Sequence, residues 1–485
     1  MSMSANQTPQ SQANLAWDTL LDLGEGGGPL HQRLTRAIRT AIRTGTLPHG
    51  AALPPSRNLA ADLGCSRWVV TEAYQQLVAE GYLVARVGSA TRVRWPQAAS
   101  RPAAPTASSP ASTARYDLGP GLPDLRAFPR QAWAEAVRAE VSTAPHAELA
   151  YPVRGAPGGH PRLRRVLAEY LQRVRGAIVD PDDLTITGGV TDGVARLSRA
   201  LLAAGAVAVA VEDPGWQRLR EAAGGAGLVL APVGVDDQGI RVQDLPRAGV
   251  AAAIATPAHQ FPTGSVLAPA RRAALLEWAQ RADALVLEDD YDAEFRYDRR
   301  PVGTLQGMDP RRVALLGSLS KTLAPAVGLG WLVTPPRWTQ ALRAAQPGPA
   351  GPPALDQLAL ARFIQAGSYD RHLRSVRQRY RARRDRLVQA LGRELPDCPV
   401  AGVAAGLHIV VGLPPRTGVA AVVAGAARRG VRAGAMDTYR TVPGPDQALV
   451  LGYGNLDDRA VEQAVRELAA AVRAAPPPGP ARVRR

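Results

Sequence analysis

The sequence predicts an α/β protein in which a small helical domain precedes a large domain built on a mostly parallel sheet. A Pro/Ala/Ser-rich segment with almost no large apolar residue divides the 485 residues. After this segment, short unbroken apolar strands alternate with amphipathic helical stretches, as in a buried sheet covered by helices. We therefore expect a first domain over 16–95, a linker over 96–115, a large domain over 116–474 that ends in a smaller α/β subdomain, and a disordered basic tail over 475–485.

The first domain is predicted from helical stretches that are followed by an alternating segment. Residues 30–44 carry apolar side chains at helical spacing. A second helix is expected to start at Ser56, Gly64 to make the next turn, and Ser66 to cap a third helix. Two helices joined by a short glycine-containing turn are typical of a helix-turn-helix, whose second helix enters the major groove of DNA. The alternation around Gly88 predicts a β-hairpin, or wing.

The motif L-P-P-S-R-x-L-A-x-x-L-G-C-S-R-x-V-V-x-x-A-Y, continued by R-V-G-S-A-T, resembles the winged-helix domain of the GntR regulators over residues 29–94. The resemblance implies a double-stranded DNA operator as partner. It places Arg57, Ser66 and Arg67 toward the major groove and the backbone, and Arg86 and Gly88 at the tip of the wing. Arginine suits bidentate recognition of guanine, and hydroxyls suit phosphate oxygens. The wing reads Gly-Ser-Ala-Thr where the family usually has Gly-Ser-Gly-Thr.

The charge and cysteine content exclude some classes of protein. The net charge is +16, but residues 1–95 hold nine Arg against six acidic residues, so a solvated basic surface explains the charge as well as DNA binding does. The arginine-rich helix predicted over 371–387 is likewise interpreted as solvent-facing, with contact to DNA phosphates as the alternative. Two distant cysteines exclude a disulfide scaffold. We expect no metal site, no signal peptide and no membrane span, hence a cytoplasmic protein.

One lysine stands out in this composition. Lysine and arginine together number 58, and Lys321 is the single lysine among them. Arginine cannot replace lysine where an amine must lose its proton and attack a carbonyl. Lys321 is therefore a candidate for covalent chemistry, against the plain alternative that one lysine has to fall somewhere.

The strand pattern brings further chemical groups to the same sheet edge as this lysine. Asp289 and Tyr291 follow the strand predicted over 282–290, and the strand over 312–320 leads to Lys321. Ligands bind at the carboxyl ends of such strands. A carboxylate and a lysine there suit a pyridoxal cofactor, because lysine can form a Schiff base and aspartate can keep the pyridine nitrogen protonated. A structural Asp–Lys pair beside serine turns is the alternative.

Five consecutive blocks carry a second resemblance: TITGGVTDG, VEDPGW, TPAHQFPTG, LEDDYDAEFRY and GSLSKTLAP. In this order they resemble the signature blocks of type I aminotransferases, and the forms of the third and fourth resemble the MocR subfamily of GntR regulators. The resemblance covers about residues 116–474. It implies a pyridoxal-phosphate-binding domain of aminotransferase type joined to a winged helix.

The resemblance also implies roles for individual residues. Lys321 carries the Schiff base, Asp289 faces the pyridine nitrogen, Tyr291 contacts the phenolic oxygen, and either His259 or Gln260 holds the same ring oxygen. The cofactor-binding residues it implies further are Gly189, Val190, Thr191, Ser318 and Ser320 around the phosphate, Trp216 over the ring, and Tyr151 reaching the phosphate of the neighbouring subunit in a head-to-tail homodimer. Arg218 and Arg440 are the candidates for an effector carboxylate, with Arg432 as a further one.

One departure bears on cofactor affinity. The family usually reads L-x-P-x-x-R-x-G after the lysine, and that arginine anchors the phosphate. This chain has Gly328 at that position. Since an arginine–phosphate pair is a strong bidentate contact, we expect weaker binding of the cofactor or a substitute arginine.

Three functions are compatible with these observations. The first is a DNA-binding transcriptional regulator that binds pyridoxal 5'-phosphate and senses a small amine, an amino acid or the cofactor itself. The second is an aminotransferase with an accessory DNA-binding domain. If the phosphate anchor is missing, its transaminase activity is at most residual. The third is a regulator whose cofactor site has decayed. Retention of Lys321 favours the first over the third.

Overall fold

The computed structural model describes residues 17, 21, 23, 28–85, 90–94, 114–150, 158–297, 302–345, 351–415, 417–442, 444 and 447–476. The chain divides into two compact units, Met1–Ser112 and Thr113–Arg485. Most of the expected linker and of the expected tail lies outside the described residues. Within them, no helix combines the length and apolar character needed to cross a bilayer.

The first unit is a winged helix-turn-helix. Its helices are α1 (Leu30–Thr44), α2 (Ser56–Asp62) and α3 (Arg67–Ala79), and strands β1 (Leu83–Val84) and β2 (Arg92–Val93) pair antiparallel as the wing. Gly64 turns the chain between α2 and α3 at φ 60°, a conformation that glycine adopts without strain. The apolar faces of the three helices and the wing meet in one core, which contains Leu34, Ile38, Leu59, Val70, Leu77 and Val93.

A mixed eight-stranded sheet forms the centre of the second unit. A short strand, β3 (Tyr116–Asp117), precedes it. The sheet strands are β4 (Leu184–Thr187), β5 (Ala208–Asp213), β6 (Val229–Asp236), β7 (Gly239–Ile240), β8 (Val250–Ala255), β9 (Leu285–Asp289), β10 (Val313–Ser318) and β11 (Gly330–Val333). Their order is β4-β11-β10-β9-β8-β5-β6-β7. The run from β10 to β6 is parallel, whereas β11 and β7 are antiparallel to their neighbours. The expectation of a mostly parallel sheet is confirmed.

Helices cover this sheet and continue into a smaller C-terminal subdomain. The α-helices are α4 (Arg130–Thr143), α5 (Pro161–Arg175), α6 (Val190–Ala203), α7 (Gln217–Gly225), α8 (Pro269–Arg281), α9 (Pro336–Ala344), α10 (Ala354–Gln365), α11 (Ser368–Glu394), α12 (Val419–Arg428) and α13 (Val461–Arg473). The subdomain sheet, in the order β12-β13-β16-β15, consists of β12 (Val400–Ala401), β13 (His408–Gly412), β15 (Gly434–Ala435) and β16 (Ala448–Gly452). Strand β14 (Val431–Arg432) pairs with β3 and so ties the start of the unit to this subdomain.

The arginine-rich helix α11 contains one arginine that is not on the surface. Arg383 is 1% exposed, so the solvent-facing interpretation of this helix is wrong for that residue. Its guanidinium donates to Asp124 at 2.7 Å, to Asp458 at 2.7 Å and to the carbonyl of Tyr453 at 3.0 Å. The carbonyl of Gly454 accepts a further bond. Arg383 therefore links segments that lie far apart in sequence.

We expect Arg383→Ala to lower the free energy of unfolding of the large unit by about 3–5 kcal/mol, because it leaves buried acceptors without their donor. Arg381→Ala, an exposed position of the same helix, is the matched control and should change it by less than about 0.5 kcal/mol. Urea unfolding followed by circular dichroism measures both. Equal effects of the two substitutions would contradict a structural role for Arg383.

Candidate ligand cavity and DNA-reading surface

A cavity of about 650 Å³ lies in the second unit at the carboxyl ends of the central parallel strands. Strand β9 ends at Asp289 and β10 ends at Ser318, and their parallel register places both ends at the same edge of the sheet. Most of the cofactor residues implied by the sequence line this cavity, as does Arg218, a candidate for an effector carboxylate. The cofactor residues are Gly189, Val190, Thr191, Trp216, Asp289, Tyr291, Ser318, Ser320 and Lys321.

The Lys321 amine faces the cavity from the turn that follows β10. It donates to the carbonyl oxygen of Gly121 at 2.5 Å and lies 5.5 Å from the centroid of the Trp216 ring. Burial lowers the pKa of the amine, while the carboxylates of Asp289 and Asp292 raise it. A lowered pKa favours the neutral form of the amine, which is the nucleophilic one. Gly121, which sequence analysis missed, is at φ 106°, and a side chain there would contact both Lys321 and Trp216.

Asp289 is buried at the bottom of the cavity. Its Oδ1 has no hydrogen-bond partner among the described residues. Burial raises the pKa of this carboxyl group well above its usual range, and the neighbouring Asp290 acts in the same direction. A buried polar atom without a partner costs free energy. A ligand that places a protonatable ring nitrogen here would supply the missing partner.

The start of helix α6 forms another wall, rich in backbone amides and hydroxyl groups. Gly189 is at φ 133°, and Gly330 of β11 packs so closely that a Cβ there would lie 2.6 Å from the Gly189 Cα. A helix N-terminus with nearby serines suits a phosphate. However, Asp192 accepts the Gly188 N–H at 2.8 Å, which places a carboxylate at this end.

Gly328 lies close to the same wall, two residues before Gly330. It adopts a left-handed conformation at φ 62°, and a Cβ at this position would meet open space. Lys321, Arg218 and Arg432 are the cationic side chains among the described residues that line the cavity. Arg432 is already paired with Asp117, its Nε lying 2.7 Å from Oδ1. Position 328 has no guanidinium, and the wall at the start of α6 offers amides and hydroxyls.

Neither His259 nor Gln260, the two candidates in the segment 259–261 for holding the ring oxygen, is among the described residues that line the cavity. Gln260 is 0% exposed and donates to Glu212 at 3.1 Å and to the carbonyl of Pro214 at 2.9 Å, so its amide is used inside the protein. Burial raises the pKa of Glu212 to about 7. His259 lies behind Tyr291, its Nδ1 3.2 Å from the tyrosine hydroxyl. Phe261, which sequence analysis missed, is the residue of this segment that lines the cavity.

The remaining predicted residues of the large domain fall in different places. Arg218 lines the cavity, and so does Arg432, the further candidate for an effector carboxylate. Arg440 is absent from the described lining, and its Nε lies 3.9 Å from Asp437. Tyr151 lies outside the described residues.

In the first unit, the predicted DNA-contacting residues that the structure describes, Arg57, Ser66 and Arg67, are exposed. Arg57 is in α2, and Arg67 opens α3 with its Nε 3.3 Å from the Ser56 hydroxyl. Ser66 occupies the cap position of α3, but its side chain makes no capping hydrogen bond. Trp68, the next residue after Arg67, is 62% exposed and was not singled out from the sequence. Arg86 and Gly88, the predicted wing tip, lie outside the described residues.

Comparison with known proteins supports both halves of this description. Residues 30–93 match the bacterial regulatory proteins of the gntR family, and residues 124–443 match aminotransferase class I and II. The pyridoxine biosynthesis regulator PdxR of Corynebacterium glutamicum is 33% identical over 91% of this chain and 95% of its own. The probable rhizopine catabolism regulator MocR of Rhizobium meliloti is 31% identical over 91% and 94%.

Two solved aminotransferase structures resemble about three quarters of this chain. An archaeal alanine:glyoxylate aminotransferase has a TM-score of 0.68 at 24% identity, covering 74% of this chain and 90% of its own. The kynurenine aminotransferase of Pyrococcus horikoshii has a TM-score of 0.67 at 24% identity, covering 75% and 91%. The two units thus define a class of protein, helix-turn-helix transcriptional regulators that carry a domain of aminotransferase fold and bind DNA. The chain belongs to the MocR-type GntR regulators, as the sequence motifs indicated.

Proposed function

We propose that this regulator binds pyridoxal 5'-phosphate covalently through Lys321 and senses a small amine, an amino acid or the cofactor itself. One observation carries the proposal: Lys321, the single lysine of the chain, and Asp289 line the same cavity, and one buried carboxylate oxygen of Asp289 has no hydrogen-bond partner among the described residues. Bound there, the cofactor would supply a reactive carbonyl and an electron-withdrawing ring. The relatives named for pyridoxine biosynthesis and rhizopine catabolism support a small-molecule signal.

The chain's own residues have distinct tasks in this proposal. Asp289 holds the proton of the ring nitrogen, and Trp216 covers the ring. Gly189, Val190, Thr191, Ser318 and Ser320 surround the phosphate. Lys321 would hold the aldehyde carbon, because burial favours the neutral, nucleophilic form of its amine.

Arg218 is the first candidate to bind an effector carboxylate, because its side chain lines the cavity. Arg432 is the second, although a ligand would have to compete with Asp117 for its guanidinium. Arg440 has weaker support, since it is absent from the described lining. We further propose a head-to-tail homodimer in which Tyr151 reaches the phosphate in the neighbouring subunit.

Covalent binding predicts that Lys321→Ala loses the visible absorption band of the lysine-bound cofactor. Lys321→Arg is the matched control for charge, and it should lose the band as well, because a guanidinium stays protonated. Absorption spectra of the purified proteins with added pyridoxal phosphate check this. A band that survives both substitutions would refute attachment through Lys321.

The open space at position 328 predicts that Gly328→Arg strengthens binding of pyridoxal phosphate by about tenfold. A charge-assisted bond to phosphate contributes roughly 1.5–3 kcal/mol, and about 1.4 kcal/mol is tenfold in affinity. The left-handed backbone costs a side chain about 1–2 kcal/mol in the protein with and without ligand, so it lowers the stability and not the affinity. Titration with pyridoxal, which lacks the phosphate, measures the contribution of the phosphate. Gly328→Ala serves as the control for the backbone cost.

Two results would argue against a phosphate end at this wall. The first is an equal gain of Gly328→Arg for pyridoxal and pyridoxal phosphate. The second is no gain for either ligand over Gly328→Ala. A decayed site, the competing interpretation, would instead give no saturable binding in the unsubstituted protein.

The exposed start of helix α3 predicts that Arg67→Ala weakens binding to the DNA upstream of this gene by about tenfold to a hundredfold, through loss of a contact of roughly 1–3 kcal/mol. Arg43→Ala, an exposed arginine in the last turn of α1, removes the same charge elsewhere. Its affinity should stay within about threefold of the unsubstituted protein at physiological salt, where distant charges are screened. Gel-shift titrations of both variants measure this, and equal losses would indicate charge alone.

A further inference from the structure

We propose that His259 and Asp292 form a positioning pair that directs the Tyr291 hydroxyl proton into the cavity, toward the phenolic oxygen of the bound cofactor. This inference rests on the proposed function, since it concerns how the protein holds that cofactor. Neither His259 nor Asp292 is needed to bind it covalently. Their effect is transmitted through Tyr291.

The geometry places both residues against the tyrosine, and Asp292 also lines the cavity. Nδ1 of His259 lies 3.0 Å from Oδ2 of Asp292 and 3.2 Å from the hydroxyl oxygen of Tyr291. The two rings are nearly parallel at a centroid distance of 6.2 Å. His259 and Asp292 are 3% and 2% exposed, so water does not screen the arrangement. Gly406, at φ 65°, leaves no room for a Cβ beside the His259 ring and so fixes its position.

The position of the proton on His259 determines the direction of its hydrogen bonds to Asp292 and Tyr291. An ionised carboxylate only accepts, so Asp292 selects the tautomer of His259 that carries its proton on Nδ1. That N–H lies within reach of both oxygens, and the Tyr291 oxygen then accepts from it. Nε2 of His259 is buried without a partner among the described residues. This agrees with the same tautomer, in which Nε2 has no proton to donate.

The tyrosine keeps its own proton and can direct it into the cavity. Burial raises the pKa of Tyr291 well above its usual range, and the charges of Asp292 and Asp289 and a hydrogen bond with the Asp292 side chain add to the effect. Asp292 therefore competes with the cavity for the hydroxyl proton, and donation from His259 to the hydroxyl oxygen favours the orientation toward the cavity. His259 therefore decides between two orientations of one hydroxyl group.

Neighbouring residues on this wall cannot supply the same donor. Phe261 packs edge-to-face on Tyr291 at 6.5 Å and has no polar atom. His408 also lines the cavity, but its Nε2 lies 3.1 Å from the carbonyl oxygen of Pro262, which can only accept. Burial lowers the pKa of His408 well below its usual range, so the ring is neutral and its Nδ1 carries no proton. Tyr291 is thus the donor that the described residues offer here.

Several titratable groups surround the Tyr291 hydroxyl, and any pH effect has to be separated from them. They come from different elements: Asp289 from β9, Glu212 from β5, His408 from β13, and Asp292 and Lys321 from the loops at the sheet edge. The described residues that offer metal-ligating atoms within 4.8 Å of one another include His259, Asp292 and His408. In this structure Nδ1 of His259 and Nε2 of His408 face protein oxygens.

The test is a double-mutant cycle read by the pH midpoint of the visible absorption of the lysine-bound cofactor. A hydrogen bond from Tyr291 stabilises the negative phenolic oxygen, so its loss in Tyr291→Phe should raise this midpoint by about one pH unit. His259→Leu should raise it by a similar amount, because the tyrosine proton turns away. In the Tyr291→Phe background, His259→Leu should have no further effect.

A conservative variant separates positioning from folding. His259→Asn can place an amide N–H near the position of Nδ1, and its midpoint should return to within a few tenths of a pH unit of the unsubstituted protein. If His259→Leu fails to fold, a midpoint of His259→Asn equal to that of Tyr291→Phe overturns the proposal. Additive shifts of His259→Leu in the two backgrounds overturn it too. Absence of any lysine-dependent band refutes the proposed function first, and this inference with it.

Discussion

The large unit depends on one constraint, the placement of buried Asp289 and half-buried Lys321 at the same sheet edge. A carboxylate and an amine are expensive to bury, and Asp289 keeps one oxygen without a partner. The sheet bears this cost because β9 and β10 are entirely buried, apolar along most of their length, and held in parallel register by their neighbours. The polar residues come only where the strands end. The free-energy cost of burying these polar groups therefore falls at the cavity, where a bound ligand can reduce it.

Predictions from the sequence were accurate where the pattern itself carries the information. The winged helix is formed by contacts between elements that are neighbours in the sequence. Its first helix, α1, spans the predicted residues 30–44. The alternation of strands and helices likewise predicted the parallel sheet and placed Asp289 and Lys321 on one cavity. In a parallel sheet the end of each strand determines which residues meet, so no long-range information was needed.

Two features of the large unit could not be predicted in this way, for a common physical reason. Which of three consecutive residues, His259, Gln260 or Phe261, faces the cavity depends on the path of a loop, which has no periodicity. Arg383 is one of many arginines in α11, and it is buried because Asp124 and Asp458 reach it from distant parts of the chain. A sequence pattern identifies an arginine-rich face but not the acids that will meet it.

The polarity of the cavity ends explains how a domain of aminotransferase fold can suit a regulator. An enzyme that keeps its cofactor through many turnovers benefits from a strong phosphate anchor, whereas a sensor has to change occupancy over the range of ligand concentration in which it responds. In this chain one end of the cavity has a lysine, a buried carboxylate and a tyrosine. The end at helix α6 has amides and hydroxyls, and its carboxylate at Asp192 is paired with Arg196. In the proposed mode of binding, covalent attachment at one end and a weak anchor at the other would make binding specific for an aldehyde and still reversible. A sensor needs this combination, because it has to recognise the cofactor and also release it.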